Sequence, residues 1–166
     1  HELLGANNFK FDCVITPRLD GDKSPCDHRV SADELLRVIK SDAHIYTQVK
    51  RLLKVPRRLL RDEVYLYQCN SWLENFFISP DLRLKFCHLT DKYSVVLKRG
   101  SLRGVFSSLV KMVADDKFKD YSPCMQCNLR RFCYRCPARS FLEVGNEEDK
   151  IDYYCELAHI FRDLSN

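Results

Sequence analysis

The sequence predicts an α+β fold in which short strands and amphipathic helices surround bound metal. Residues 9–16 and 74–86 have the apolar patterns of strands. Apolar side chains recur at helical spacing over residues 103–115 and 150–163. Seven of the nine cysteines lie at or after Cys69, at spacings typical of metal ligands. Metal ligation is therefore expected to stabilise much of the C-terminal half.

The N-terminal part is predicted to contain one strand followed by helices. Residues 9–16 alternate and then run apolar, which predicts a buried strand that a proline ends. Ser31 precedes two acidic residues and an apolar pair, so it is predicted to cap a helix over 32–40. A second helix is predicted over 43–55, where Pro56 ends or kinks it.

The second helix and the residues after it carry basic side chains on one face. An ordinary solvated helix face is one interpretation, and a docking strip for an acidic peptide is the other. Nucleic acid is not an expected partner, since no aromatic side chains interleave on that face. The basic residues are Lys50, Arg51, Lys54, Arg57, Arg58 and Arg61.

The middle of the chain is predicted to contain a hairpin, a strand and a helix. The hairpin covers residues 74–86 with its turn at Pro80 and Asp81. Residues 93–98 are predicted to form another short strand. Ser101 is predicted to cap a helix over 103–115, where apolar residues keep helical spacing.

The cysteines near the C-terminus form two Cys-x2-Cys pairs that are separated by five residues. Such a pair places two sulfurs on one tight turn, so both thiolates can reach one metal centre. Two pairs this close indicate iron–sulfur clusters, because iron in them prefers thiolate donors. Seven thiolates divide into a complete set of four for one cluster and a set of three for another, in which the fourth ligand position is open or is not a cysteine. The seven are Cys69, Cys87, Cys124, Cys127, Cys133, Cys136 and Cys155.

Two other uses of the cysteines remain open at this point. Disulfides are not favoured, since the number of cysteines is odd and the N-terminus lacks a secretory signal profile. Zinc is the alternative metal, either as the native ion of an interaction domain or as a substitute for lost iron. His88, next to Cys87, could complete a zinc site of three cysteines and one histidine with Cys69, Cys87 and Cys136.

The spacing of the seven cysteines resembles the SPASM domain, a C-terminal extension of many radical-SAM peptide-modifying enzymes. Cys69 is followed by twelve residues, Leu82, four residues and Cys87, and the paired cysteines and Cys155 then follow in order. The chain departs from the family pattern in two places. Leu82 occupies the glycine position, and the last pair, which ends at Cys136, has two intervening residues where the family pattern has three.

The resemblance implies two auxiliary [4Fe-4S] clusters that serve electron transfer and the positioning of a peptide substrate. It implies one cluster on Cys69, Cys87 and Cys136. It implies the other cluster on Cys124, Cys127, Cys133 and Cys155.

The resemblance also implies a domain organisation. Residues 1–62 would be the last strand and helix of a radical-SAM partial barrel with a linker helix, and residues 63–166 the SPASM-like domain. A peptide or protein substrate and a radical-SAM catalytic domain are the implied partners.

No catalytic residue is predicted in this chain, and whether it is itself part of an enzyme is left open. The Cys-x3-Cys-x2-Cys loop that binds S-adenosylmethionine through its cluster does not occur. The catalytic half is therefore expected to be missing or separately encoded, and the cofactor would bind there.

Composition agrees with a folded domain in a reducing compartment. The chain has 166 residues, of which 45% are hydrophobic, and a net charge of +4. No apolar run reaches about 18 residues, so no membrane-spanning helix is predicted. With reduced cysteines and no signal peptide, the expected location is the cytoplasm.

Overall fold

The computed structural model describes residues 12–54, 64–69, 71–119 and 122–165. It has the mixed helix and sheet content of the predicted α+β class. The helices are α1 (Ala32–Ser41), α2 (Ala43–Lys54), α3 (Ser71–Glu74), α4 (Leu102–Ala114), α5 (Pro137–Val144) and α6 (Asp152–Ser165), and 3-10 helices cover Ser24–His28 and Arg130–Phe132. The strands are β1 (Phe77–Ile78), β2 (Arg83–Lys85) and β3 (Ser94–Val96).

The first hydrophobic core joins α1 and α2 to α6. Leu35 and Ile39 of α1 are buried against Tyr154 and Leu157 of α6, and apolar side chains of α2 pack at the edge. α1 begins with a capping box, in which the Glu34 N–H donates to Ser31 Oγ at 3.2 Å and the Ser31 N–H donates to Glu34 Oε2 at 2.9 Å. The predicted helices over 32–40 and 150–163 are confirmed, and the latter extends to Ser165.

The second hydrophobic core lies between the sheet and α4. Leu84 and Phe86 are buried against Leu109 and Val113 of α4, and Trp72 of α3 closes the cluster. The sheet is antiparallel with the strand order β1-β2-β3. The predicted hairpin, the short strand after it and the helix that follows are therefore confirmed, with bounds shifted by a few residues.

Leu82 ends the turn of the β1–β2 hairpin with a φ of +57°. The turn is closed by the Leu82 N–H, which donates to the Ser79 carbonyl at 2.9 Å. Among the described residues, Leu82 is the one non-glycine residue in the left-handed region. That region crowds the Cβ of L-residues and favours glycine. Leu82 therefore adopts the backbone conformation that a glycine would accept without this cost.

We expect Leu82→Gly to raise the free energy of unfolding by about 0.5–1 kcal/mol. Relief of the left-handed penalty, about 1–2 kcal/mol, exceeds the extra chain entropy that glycine brings to the unfolded state. Little burial is lost, since the Leu82 side chain is 60% exposed. Chemical denaturation of both proteins in the same metal state measures the difference.

Leu19→Gly is the matched control for this substitution. Leu19 lies in a turn, is 63% exposed and does not have a positive φ. It should lose stability on conversion to glycine, because only the entropic cost applies there. A loss of stability in Leu82→Gly as large as that in Leu19→Gly would contradict the strain argument.

The strand predicted over residues 9–16 is not formed in its described part, residues 12–16. The Ile15 carbonyl, which would accept a hydrogen bond from a neighbouring strand, accepts hydrogen bonds from side chains instead. The Ile15 oxygen accepts hydrogen bonds from Arg29 Nη2 at 2.6 Å and from the Tyr154 hydroxyl at 3.1 Å. Extended backbone without a paired strand therefore packs on the first core. Residues 9–11 lie outside the described residues.

Two local predictions around helix starts need correction. Ser101 does not cap α4 with its side chain, because Ser101 Oγ donates to the Lys98 carbonyl at 2.6 Å and closes the preceding turn. α5 was not predicted. Cys136 is its N-cap, Pro137 its first residue and Gly145, with φ +80°, its left-handed C-cap.

A polar network connects the second core to the loop before α6. Lys92 Nζ donates to Asp116 Oδ2 at 3.0 Å and to the Glu147 carboxylate. The hydroxyl of the buried Tyr67 donates to Glu147 Oε1 at 2.5 Å. Burial and then the hydrogen bond to Asp116 raise the pKa of Tyr93 to about 12. The network therefore fixes the loop that leads into α6.

The predicted boundary at residues 62 and 63 is not a boundary between cores. α1 and α2 precede it, yet they pack on α6, which follows it. The assignment of residues 1–62 to a partial barrel and of 63–166 to a SPASM-like domain stays a prediction.

The helices of the described residues are short. The longest, α6, has 14 residues. None of the described helices has both the length and the apolar character that crossing a bilayer requires.

Candidate metal centre

Three of the predicted ligands, Cys69, Cys87 and Cys136, form what we call the three-cysteine group. Burial raises the pKa of the Cys87 thiol, and the charges of Cys136 and Cys69 raise it further. Burial likewise raises the pKa of Cys136, with a contribution from the charge of Cys69. Because Coulomb interactions weaken with distance, these effects indicate that the side chains of Cys69, Cys87 and Cys136 are neighbours.

Different elements supply the members of the three-cysteine group. Cys69 precedes α3, Cys87 follows β2 and Cys136 begins α5. Backbone donors point at two of the sulfurs: the Leu89 N–H donates to Cys87 Sγ at 3.4 Å, and the Arg139 N–H donates to Cys136 Sγ at 3.5 Å. Donors of this kind stabilise thiolates and tune the metal they hold.

The other four predicted ligands, Cys124, Cys127, Cys133 and Cys155, form the four-cysteine group. Burial raises the pKa of Cys133, the Arg135 N–H lowers it, and the charges of Cys155 and Cys124 raise it again, which together give a pKa of about 11. Burial also raises the pKa of Cys155. The charge of Cys124 raises it further, and the charge of Cys127 has a smaller effect in the same direction. These effects again indicate neighbouring side chains.

The four-cysteine group is built from a turn, a 3-10 helix and α6. Cys124 lies in a turn, Cys127 follows three positions later, and the 3-10 helix Arg130–Phe132 leads to Cys133. The Arg135 N–H donates to Cys133 Sγ at 3.4 Å. Cys155 lies in the first turn of α6, which packs against the same 3-10 helix. The four thiols are thereby fixed to the edge of the first core.

All nine cysteines lie among the described residues, and all are reduced. In the described part of the chain, no three histidine, cysteine or acidic side chains converge at the distances of a single metal ion. A tetrahedral zinc ion with Zn–S bonds of about 2.3 Å holds its sulfurs about 3.8 Å apart. A four-iron cubane is larger, and its cysteine ligands lie correspondingly farther apart. Soft thiolates with N–H donors at the sulfurs are a donor set that fits such a cluster.

The remaining candidates lie elsewhere. His88 is exposed, and its ring packs against Phe77 with the centroids 5.1 Å apart. Cys13 packs against the first core, where burial and then the charge of Asp12 raise its pKa to about 11. Cys26 lies in the 3-10 helix Ser24–His28.

Two arginines beside the four-cysteine group stack on one aromatic ring. The guanidinium carbons of Arg130 and Arg135 lie 5.1 and 5.4 Å from the centroid of the Phe118 ring. Burial raises the pKa of Cys124, whereas the positive charges of Arg135 and Arg130 lower it. The arginines thus favour the thiolate form. Sequence reasoning did not find this pairing, because Phe118 is distant from both arginines along the chain.

The basic face predicted on the second helix borders an open groove of about 320 Å³ on α2. Lys50 Nζ lies over the ring of Tyr46, 5.7 Å from its centre. The groove is lined by Tyr46, Thr47, Lys50, Arg51 and Lys54. The predicted basic residues Arg57, Arg58 and Arg61 lie outside the described residues.

Comparison with family models, curated proteins and solved structures finds no match for this chain. The SPASM resemblance therefore rests on the cysteine spacing and stays an interpretation.

Proposed function

We propose that the chain is the auxiliary cluster domain of a radical-SAM enzyme and binds two [4Fe-4S] clusters. The three-cysteine group would hold one cluster and the four-cysteine group the other. The observation that carries the proposal is proximity: the cysteine charges that raise the pKa values of Cys87, Cys136, Cys133 and Cys155 come from cysteines of the same group that the SPASM resemblance implies.

The hairpin turn gives independent support. Leu82 stands where the SPASM pattern has glycine, and its φ is +57°. A glycine requirement at that position of the pattern is explained by a left-handed backbone. The turn thus has the geometry that the pattern demands, although the residue differs.

The arrangement of the two groups suits electron transfer, the chemistry that iron–sulfur clusters supply when bound. Cys133 and Cys136 belong to different groups and are three positions apart. Their Cα atoms therefore lie within about 11 Å of each other, even for a fully extended chain. The protein contributes burial, N–H donors and positive charge, which together set how easily each site is reduced.

The proposed partners are a radical-SAM catalytic domain and a peptide or protein substrate in the cytoplasm. The chain lacks the three-cysteine loop for S-adenosylmethionine, so the catalytic domain would supply that cofactor. The basic groove on α2 is the surface we propose for an acidic segment of the substrate. Its lysines and arginine are complementary to carboxylates, and its open shape admits an extended chain.

Metal analysis after oxygen-free reconstitution tests the cluster proposal. We expect about eight irons and a similar amount of sulfide per chain, with the broad brown absorbance of four-iron clusters. Reversible bleaching by dithionite would support electron transfer. Zinc without iron under these conditions would contradict the proposal and favour a zinc-stabilised interaction domain.

Charge reversal in the groove tests the docking surface. The triple change Lys50→Glu, Arg51→Glu and Lys54→Glu is expected to weaken binding of a hexaglutamate peptide at least tenfold at low salt, since like charges then face each other. Fluorescence anisotropy of a labelled peptide measures this. Arg37→Glu with Lys40→Glu on exposed positions of α1 is the control and should have a smaller effect. Equal effects of both variants would contradict a specific groove.

A further inference from the structure

Arg139 has a buried donor without a partner. Its Nε is buried, and it makes no hydrogen bond to any other described residue. Leaving a buried N–H unsatisfied costs free energy, and in folded proteins such a group usually has an explanation, for instance a bound ion. The orphaned Nε–H therefore indicates a missing acceptor beside Arg139.

The position of this donor is fixed by two other contacts of the same residue. Arg139 Nη1 donates to the Tyr134 carbonyl at 2.7 Å, which anchors the guanidinium. The Arg139 backbone N–H donates to Cys136 Sγ at 3.5 Å in the first turn of α5. The backbone of the residue is thus held at Cys136 of the three-cysteine group, and its side chain is anchored on the segment between Cys133 and Cys136.

Arg139 also brings a positive charge to the same group. Its guanidinium stays charged at any physiological pH. A positive charge beside these sulfurs favours negative charge on the group that they hold.

We infer that Arg139 is a positioning residue whose Nε–H donates a hydrogen bond to a sulfur of the cluster on Cys69, Cys87 and Cys136, and thereby makes that cluster easier to reduce. This inference rests on the proposed function. Reduction adds one electron and one negative charge to the cluster. A hydrogen-bond donor and a positive charge stabilise that reduced form more than the oxidised form.

The other nearby arginines have different surroundings. Arg135 donates from Nε to Ser140 Oγ at 3.0 Å and from Nη2 to the Glu147 carbonyl. Arg130 donates to the Met125 carbonyl at 3.3 Å. Arg131 is exposed, with its guanidinium 5.9 Å from the Phe132 ring. Among the described arginines, Arg139 is the one with a buried donor that lacks an acceptor.

The test is a redox titration of the reconstituted protein with dithionite, followed by electron paramagnetic resonance. We expect Arg139→Gln to lower the midpoint potential of one cluster by about 59 mV or more, a tenfold shift of the one-electron equilibrium. Arg139→Lys keeps the charge but lacks Nε, so it should lower the same potential by a smaller amount. Arg131→Gln removes an equal charge from an exposed position and should leave both potentials nearly unchanged.

The outcomes separate the inference from the proposed function. Wild-type protein without iron would overturn both, and this is seen before any variant is made. Wild-type protein with two clusters, whose potentials stay the same in Arg139→Lys and Arg139→Gln, would overturn the inference alone. If Arg139→Gln does not retain iron, the Arg139→Lys potential decides: a lower value supports the hydrogen bond, and an unchanged value excludes it.

Discussion

Cys155→Ser is expected to remove about four of the eight irons from the reconstituted protein and to leave the rest in place. Serine is a harder and weaker ligand for iron than a thiolate. Cys155 is the member of the four-cysteine group that α6 supplies, next to the loop that carries the other three. Loss of one corner ligand should therefore empty the whole four-cysteine site. Iron and sulfide analysis together with the visible spectrum measures the loss.

Cys87→Ser is the complementary variant. It should remove about four irons from the three-cysteine site, and the double variant should bind almost none. Cys13→Ser changes a thiol that packs against the first core and should retain the full iron content. Loss of all iron from either single variant would contradict two separate sites. Loss of a single metal per variant would point to mononuclear ions instead.

Arg29→Met should lower the free energy of unfolding by about 3–5 kcal/mol, the second large effect that we expect. Arg29 and Glu143 form a bidentate ion pair with both N–O distances at 2.7 Å. Their side chains are only 9% and 16% exposed. Removal of the arginine leaves a largely buried carboxylate without its cation and removes the two Arg29 donors of the Ile15 carbonyl, which keeps only the Tyr154 hydroxyl.

Matched variants separate the ion pair from general packing. Arg29→Lys keeps the charge but loses the paired hydrogen bonds, so its effect should be smaller yet clear. The double variant Arg29→Met with Glu143→Leu should recover part of the stability, since no buried charge remains. Arg18→Met breaks an exposed pair with Asp20 and should change the stability by less than about 1 kcal/mol. An Arg29→Met effect as small as that of Arg18→Met would contradict a structural role for the buried pair.

Local sequence signals predicted the elements whose hydrogen bonds are local. Ser31 and Glu34 form the capping box that starts α1, and the turn at Pro80 and Asp81 lies within the hairpin. The strand over residues 9–16 failed for the opposite reason. The Ile15 carbonyl is satisfied by Arg29 and Tyr154, and no local pattern reveals a partner that is 139 positions away.

The candidate site shows the same division. Cysteine spacing predicted the seven candidate ligands, and only the family resemblance assigned each of them to one of the two sets. The Cys136-Pro137 step contained a helix-start signal that the metal interpretation obscured, so α5 and the orientation of Arg139 were missed. The stacking of Arg130 and Arg135 on Phe118 depends on tertiary packing, which spacing does not encode.

The packing of α1 and α2 on α6 has a practical consequence for dissecting this polypeptide. Cutting the chain in the segment 55–63 would strip the covering from Tyr154, Leu157 and Phe161, which are almost completely buried in the intact protein. In the excised cysteine-rich fragment, the apolar face of α6 would then be exposed to water. The same helix carries Cys155. The truncated protein would aggregate or lose its bound metal because its apolar core is exposed and not because its ligands are defective. Recombinant protein should therefore include the residues on both sides of the segment 55–63.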